Sequence, residues 1–553
     1  MTSFDGFRMN AAREFAQTMI VIDDEASQSL DPSSIQKVGT LQRPTRQTSS
    51  TQSIVRTSKQ LSKPSIHLLN AKALVEKSME LGLICSILKP GEEEEFEKKV
   101  VKAASIADIV CLDWEIYSDQ GDAATKIIRD IAKEDYEKNG RLRLIAIYTG
   151  DSTNNKILKK VFNAIPQEIR LSQEYRKNRL YIQSKSGMRI VCLFKAYGVQ
   201  LKYPRSKNQI HEEMLPERLL EEFSRLSDGL LSGVALATAG SMRRSTHHVL
   251  AQFSGSMDWP YFHHRAMLEN PEDAEGYAVD VVSSQLESFV NRERIAEKYA
   301  GHEAIQARIE EFSRDSDALT LRYRNGKNSP RTHKLEKTVS IQMVQDGIES
   351  VDAGKLTNPP GKKVLKKHFS ALFFRSLEDP RTHMHRFAAI TGVRAYPDHY
   401  LFKLRHRVPR LGLGTIIKSK EQEYLLCLQA TCDSVRIDNE TSFLFVPLCE
   451  ADDQPEHVVP ICEEGESRQF IGLRTCSNAY RMARSISFFG SASTRTVNAE
   501  RSDNCTELYF KDTDDKPYRW IADLKHRRAL RTVQRLAQDM GRLGFDEFEP
   551  YRQ

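Results

Sequence analysis

The chain has 553 residues, 40% hydrophobic and 28% charged, a balance that excludes a disordered or collagen-like polymer and leaves room for roughly two to four folded domains. A formal charge of +6 and a pI of about 8.6 permit contact with nucleic acid or an anionic surface without arguing for either. No apolar run reaches the ~18 residues of a membrane-spanning helix, and MTSFDGFRMNAAREF lacks the apolar core of a signal peptide. The nine cysteines form no CxxC pair and several sit in apolar runs, which predicts reduced, buried thiols and a cytoplasmic protein.

In chain order, TMIVI (18–22) reads as a buried strand that ends at Asp23-Asp24. Residues 27–68 are rich in Ser, Thr, Gln and Arg, with one acid (Asp31), and predict a disordered insertion. Helical spacing returns at 69–81 and a strand at 83–88. A helix with an acidic start follows at 92–106, with Glu92 to Glu95 near its positive end. ADIVCL (107–112) is a strand ending at Asp113. Then come a helix at 122–137, a strand at 142–148 ending at Thr149-Gly150, and a helix at 154–164. Runs at 179–183 and 188–194, separated by SKSG, predict a hairpin whose second strand ends at Lys195. This alternation predicts an α/β fold, a doubly wound parallel sheet in a domain spanning 1–206.

A helical region is expected over 207–325, and a basic linker or helical segment over 326–399, of which 326–368 is loop-like and broken by NSPR and NPPGKK. From 400 to 553 a mixed α+β domain is expected. Its strands are HYLFKL, GTIIKS, EYLLCLQA and TSFLFVPL, and its closing helix spans about 519–540, with Ile521, Leu524, Val533, Leu536, Ala537 and Met540 as the apolar stripe and Gly541 and Gly544 at its end.

Taken singly, an acidic pair or a lone Asp at a strand end is an ordinary turn residue. Together, Asp23-Asp24, Asp113, Thr149 and Lys195 stand at four successive strand ends, where open α/β sheets place their sites. Three clustered carboxylates repel one another. A divalent cation such as Mg²⁺, which takes hard oxygen ligands and keeps several waters, relieves that conflict. A lysine adds a second positive charge for phosphoryl oxygens, and a hydroxyl can report on a bound phosphoryl group by hydrogen-bonding it.

The segments IDDE (22–25), VCLDWE (110–115), IYTG (147–150) and LFKAY (193–197) resemble the response-regulator receiver family of two-component signalling. The resemblance implies a (βα)5 receiver fold with Asp113 as phosphoacceptor. It implies Mg²⁺ held by Asp23, Asp24 and Asp113 with the backbone carbonyl of Glu115, Thr149 as switch hydroxyl and Lys195 as phosphate-binding lysine. Lys185, in the hairpin turn, is the substitute if Lys195 does not converge, and Tyr197 is given no role. The chain departs from the family in its polar insertion, in the long stretch from Thr149 to Lys195, in Ala196 where a proline is usual, and in Trp114 and Glu115.

Elsewhere, His247-His248, His263-His264, His383, His385 and His526 read as packed or exposed histidines rather than zinc ligands. Thr431-Cys432-Asp433 reads as a strand-end cysteine used in packing before it reads as a nucleophile. The basic stretch Lys525 to Arg535 reads as a solvated face before it reads as a phosphate contact. PRLGLGTIIKS, YLLCLQATCDSVRI and RLGFDEFEPYR are similar to the tails of large receiver proteins of bacterial anti-phage defence phosphorelays. That similarity implies a non-enzymatic signalling protein, a phosphate sink fed by a sensor histidine kinase, with a second response regulator as a further partner. A homodimer is compatible with the long helices; membrane and nucleic acid are not expected partners. The alternatives are a receiver-gated effector whose C-terminal domain acts on nucleic acid or a small molecule, and a degenerate receiver used as a scaffold.

Overall fold

The computed structural model describes residues 3–24, 26–27, 69–91, 95–138, 140–150, 154–196, 208–268, 271, 273–323, 331–351, 361–374, 380–397, 408–461, 469–502 and 507–540. The chain forms two compact units. The first comprises Met1–Thr320 with His333–Lys366, and the second Leu321–Thr332 with Lys367–Gln553. Most of the predicted insertion, Tyr197, HYLFKL and RLGFDEFEPYR lie outside the described residues, as do Glu92 to Glu94, Gly541 and Gly544. No helix among the described residues is long and apolar enough to cross a membrane.

The first unit opens with helix α1 (Phe4–Phe15) and strand β1 (Thr18–Ile22). Helix α2 (Ala71–Glu80), β2 (Ile84–Leu88), α3 (Phe96–Ala104), β3 (Ile109–Leu112), α4 (Asp122–Glu137), β4 (Arg143–Thr149), α5 (Asn154–Ala164) and α6 (Gln167–Ser172) follow. Then come β5 (Arg176–Lys177), β6 (Tyr181–Gln183), β7 (Met188–Lys195), β8 (Gln209–Ile210) and α7 (Leu215–Ser224). Local chemistry sets several of these starts. Asn70 caps α2 by accepting from Ala73 N at 3.1 Å. The Asn178 carboxamide oxygen accepts from Leu180 N and Tyr181 N, turning the chain into β6.

The parallel strands run in the order β2-β1-β3-β4-β7, the doubly wound arrangement whose direction reverses between β1 and β3. Strand β3 is buried at every residue and β4 likewise, as expected of central parallel strands covered on both faces. One face packs Val110, Leu112, Ile145 and Ile147 under α3, α4 and α5. The other packs Val21, Cys111, Tyr148 and Leu193 under α1, α2 and α7, which contribute Ala12, Leu74 and Leu219. The predicted hairpin is present: β6 pairs antiparallel with β7, Ile182 opposite Ile190, and β5 extends it. Beyond the hairpin, β8 lies parallel to the end of β7, with Ile210 opposite Lys195.

Helix α8 (Leu230–Gln252) packs on α1. At Gly240 a Cβ would come 2.5 Å from the Glu14 carbonyl oxygen, so this crossing requires glycine. The unit continues through α9 (Asp258–Met267), α10 (Asp273–Arg292), α11 (Ile295–Ala300) and α12 (His302–Phe312). Lys337–Asp346 and Lys362–His368 are also helices, contrary to the loop expected over 326–368. Ser340, Met343 and Leu365 are buried there, an inward-facing stripe that the many lysines obscure in the sequence.

The second unit is an antiparallel sheet. Its strands are β9 (Val393–Ala395), β10 (Thr415–Lys418), β11 (Tyr424–Cys427), β12 (Glu440–Glu450), β13 (His457–Ile461), β14 (Gln469–Thr475), β15 (Arg484–Phe489), β16 (Glu500–Arg501), β17 (Leu508–Lys511) and β18 (Pro517–Leu524). After α13 (Lys337–Asp346) and α14 (Lys362–His368), helix α15 spans Pro380–Gly392 and α16 spans His526–Met540. The order is β13-β14-β12-β11-β10-β18-β17-β16, with β9 on β18 and β15 on β12. The closing helix expected from about 519 begins only at His526. Ile521 and Leu524 belong to β18, where Trp520 enters one core and Ile521 the other, an alternation only a strand provides.

Two cysteine expectations are corrected. Cys449 of β12 and Cys476, just past β14, form a disulfide with Cα atoms 5.3 Å apart. Cys449 faces Arg474 across the β12–β14 ladder, so antiparallel pairing joins residues that are distant in sequence. Cys432 is exposed rather than packed, and its thiol donates to Asp433 Oδ1 at 3.3 Å.

Candidate functional site

The carboxyl ends of β1, β3 and β7 bring three of the expected side chains into contact. Strand pairing does this directly: Asp113 N donates to Ile22 O, and Asp23 N to Leu88 O, locking the two aspartates onto adjacent strand ends. Lys195 Nζ lies 3.0 Å from Asp23 Oδ2 and 2.6 Å from Asp113 Oδ2. All three side chains are buried. Carboxylate oxygens of Asp23, Asp24 and Asp113 lie within 4.8 Å of one another, Asp24 being the more accessible member. Burial alone would lower the pKa of Lys195, but Asp113 and Asp23 outweigh it and hold the ammonium above its ordinary value.

Thr149 ends β4 and is buried, in register with Phe194, the residue before Lys195. Its strand parity is that of Ile147, whereas Lys195 shares the face of Tyr148 and Leu193. Glu115 approaches the acceptor through its backbone: its N–H donates to Asp113 Oδ1 at 3.2 Å, and its carbonyl accepts from Ser118 N at 3.3 Å. A carbonyl oxygen has a second lone pair for a cation. The Glu115 carboxylate accepts from Gln120 N at 3.0 Å, so this unusual acid braces the loop. Lys185 pairs with Glu174 at the opposite end of β7 and takes no part.

Trp114, the other unusual neighbour, is also structural. It is buried, and its ring lies where a Cβ on Gly121 would stand, 2.1 Å from Cε2. Gly121 has φ +80° and precedes α4, so the position needs glycine for two reasons. Asp119 fixes the same turn by accepting from Gly121 N and Ala123 N, and Lys160 Nζ sits 5.4 Å over the Trp114 ring.

Sequence reasoning missed Tyr148. Lys195 Nζ lies 5.8 Å over its ring, and its hydroxyl donates to Ile210 O at 2.8 Å, tying the site to β8 and the approach to α7. Its adjacency to Thr149 at a strand end was the available signal, since alternation puts it on the Lys195 face.

The donor set is all hard oxygen apart from one ammonium. Three carboxylates against one lysine leave an excess of negative charge that suits a divalent cation of the Mg²⁺ type. The family model of the response receiver domain matches residues 15–200. This segment is a receiver domain. No curated protein and no solved structure matches the chain. The receiver match covers the strand ends that carry Asp23, Asp113, Thr149 and Lys195, and it gives the chain a phosphoacceptor role of the response-regulator type.

The other singled-out residues sit elsewhere. The rings of His247 and His248 are tilted against each other, with centroids 3.8 Å apart, and His248 stacks on Phe289. His264 packs on Tyr277 and His383 on Phe374.

Proposed function

We propose that Asp113 is the phosphoacceptor of this receiver and that a sensor histidine kinase is its donor. The observation that carries the reading is the buried bridge of Lys195 Nζ to both Asp113 and Asp23. An Asp113 carboxylate oxygen attacks the phosphorus of a phosphohistidine. The P–O bond forms as the P–N bond breaks, and the imidazole leaves with the electron pair. Lys195, fixed against Asp113, stands where its charge meets the incoming phosphoryl oxygens. The carboxylates of Asp23, Asp24 and Asp113 and the Glu115 carbonyl would hold Mg²⁺. When bound, the ion neutralises phosphoryl charge. Thr149 is the proposed reporting hydroxyl.

The test is incubation with Mg²⁺ and acetyl phosphate, followed by assay of acid-labile phosphate. Wild type should label and Asp113→Asn should not; equal labelling sinks the reading. Loss of labelling in EDTA tests the cation. The similarity to anti-phage phosphorelay proteins supports a cytoplasmic phosphate sink, with a second response regulator competing for the same kinase. In that role, an Asp113→Asn strain and a whole-gene deletion should show the same spurious pathway activation.

A further inference from the structure

The second unit holds a cavity of about 510 Å³ at the N-terminus of α16, adjoined by a smaller one of about 190 Å³. The larger is within the usual range of small-molecule sites. Its wall carries Lys525, Arg527, Arg528 and Arg531 against one carboxylate among the described residues, Glu456. That carboxylate is already engaged: both Glu456 oxygens pair with Arg535, at 2.6 and 2.7 Å, and Oε2 also accepts from Thr475 N. Lys525 and Arg528 are held by the carbonyls of Ile390 and Glu456, which orient them without cancelling their charge. Arg527 and Arg531 are exposed and have no hydrogen-bond or ion-pair partner among the described residues.

A second observation is independent of this charge. His457, on β13, is 3% exposed and lines both cavities, yet neither ring nitrogen has a hydrogen-bond partner among the described residues. Two unmet buried polar atoms on one ring are costly unless a water or a ligand group meets them. Burial and Arg528 also keep the ring neutral, leaving one nitrogen to donate and one to accept. The first N–H groups of a helix lack intrahelical acceptors; at the start of α16 those of Leu524, Lys525 and Arg528 donate to the carbonyls of Gly414, Gly392 and Lys525, which leaves those of His526 and Arg527 on the cavity wall. The rest of the wall includes Val393, Val458 and Leu524, an apolar surface for a flat ring.

We propose that this cavity binds a small phosphorylated molecule of nucleotide size, with its phosphate between Arg527, Arg528 and Arg531 and its body against His457 and the apolar wall. The cations converge on one concavity instead of tracking an extended face, which favours a small ligand over a nucleic-acid strand.

The full chain carrying Asp113→Asn, in EDTA to silence the receiver site, is titrated calorimetrically with AMP, GMP, ATP, pyrophosphate and a short RNA. At least one mononucleotide should saturate a single site below about a millimolar. Arg527→Gln with Arg531→Gln should weaken that binding by about tenfold or more at an unchanged melting temperature. His457→Gln should weaken the nucleotide more than pyrophosphate. No saturable binding by any mononucleotide, equal binding by the double variant, or an RNA bound far more tightly than every mononucleotide would each overturn the proposal.

Discussion

Lys195 and Asp113 form a buried ion pair, 2.6 Å from Nζ to Oδ2, that joins the last residue of β7 to the first after β3. The pair spans the two strands without β4, which lies between them. Replacing Lys195 by Met leaves Asp113 and Asp23 facing each other without a cation. The expected cost is about 3–5 kcal/mol, the penalty for orphaning buried charge. Urea denaturation measures it, and acid-labile labelling from acetyl phosphate should fall with it. Because the folded-state pKa of Lys195 is raised, its stabilisation is complete below the ordinary value of 10.5 and is lost only as pH rises beyond it. Wild type should therefore show no Lys195-dependent change between pH 6 and 9, and a large one there would contradict this pairing.

Gly121→Ala should destabilise the receiver by about 2–3 kcal/mol. The new methyl meets the Trp114 ring, and the residue sits at φ +80°, where an L side chain costs about 1 kcal/mol by itself. Adding Trp114→Ala should relieve the clash while imposing its own cavity cost, so the double variant should be less unstable than the sum of the singles. Strict additivity in denaturant melts would count against the packing described.

Asp108 and Asp113 bracket β3 and do opposite jobs. Asp108, buried at the amino end, accepts from Gln17 N and Thr18 N and pairs with Arg243 of α8, 3.2 Å from both its carboxylate oxygens. Asp108→Ala leaves those donors unmet and should cost about 2–4 kcal/mol while sparing phosphoryl labelling of the folded fraction. Asp113→Asn should do the reverse. If Asp108→Ala abolishes labelling at a temperature where circular dichroism shows it folded, the division fails.

The convergence of Asp23, Asp113 and Lys195 was legible because each closes a predominantly apolar strand, so chain order and strand ends bring the three together before any contact is known. Helix α4 was legible to the residue, since Ala124, Ile127, Ile128 and Ile131 mark a clean buried stripe. What sequence concealed depends on pairing between distant segments. PYRWIADL mimics the start of an amphipathic helix, and only sheet partners on both sides make it a strand. Tyr148 gained its link to β8 only through the Ile210 carbonyl, a contact no local pattern announces. Trp114 and Glu115 stood out only as departures from the family, and their contacts to Gly121 and Gln120 in the following turn became visible with the fold.

The Cys449–Cys476 disulfide closes a loop with a sequence separation of 27. For a loop of this size the chain-entropy model gives about 3–4 kcal/mol of stabilisation. Protein purified without reductant and treated with iodoacetamide should leave these two cysteines unmodified while the exposed Cys432 reacts. Cys449→Ser with Cys476→Ser should lower the second unit's denaturation midpoint. Full alkylation of Cys449 in the folded, unreduced protein would remove the crosslink from this account.

His457 gives the second unit an acid sensitivity of known sign. Burial first, then the Arg528 charge, lower its pKa from 6.5 to about 4; Glu456 opposes the shift, and Arg535 adds to it. The unfolded chain takes up a proton near pH 6.5 that the folded unit resists, so stability is full above that pH and falls as pH drops toward 4. The whole effect is about 3 kcal/mol at most. Hydrogen exchange of β13 should accelerate from pH 7 to pH 5 once intrinsic rates are corrected for. His457→Gln should flatten that acceleration, because glutamine does not titrate. A wild-type profile already flat over this range would mean that the ring is protonated, or solvated, in the folded protein.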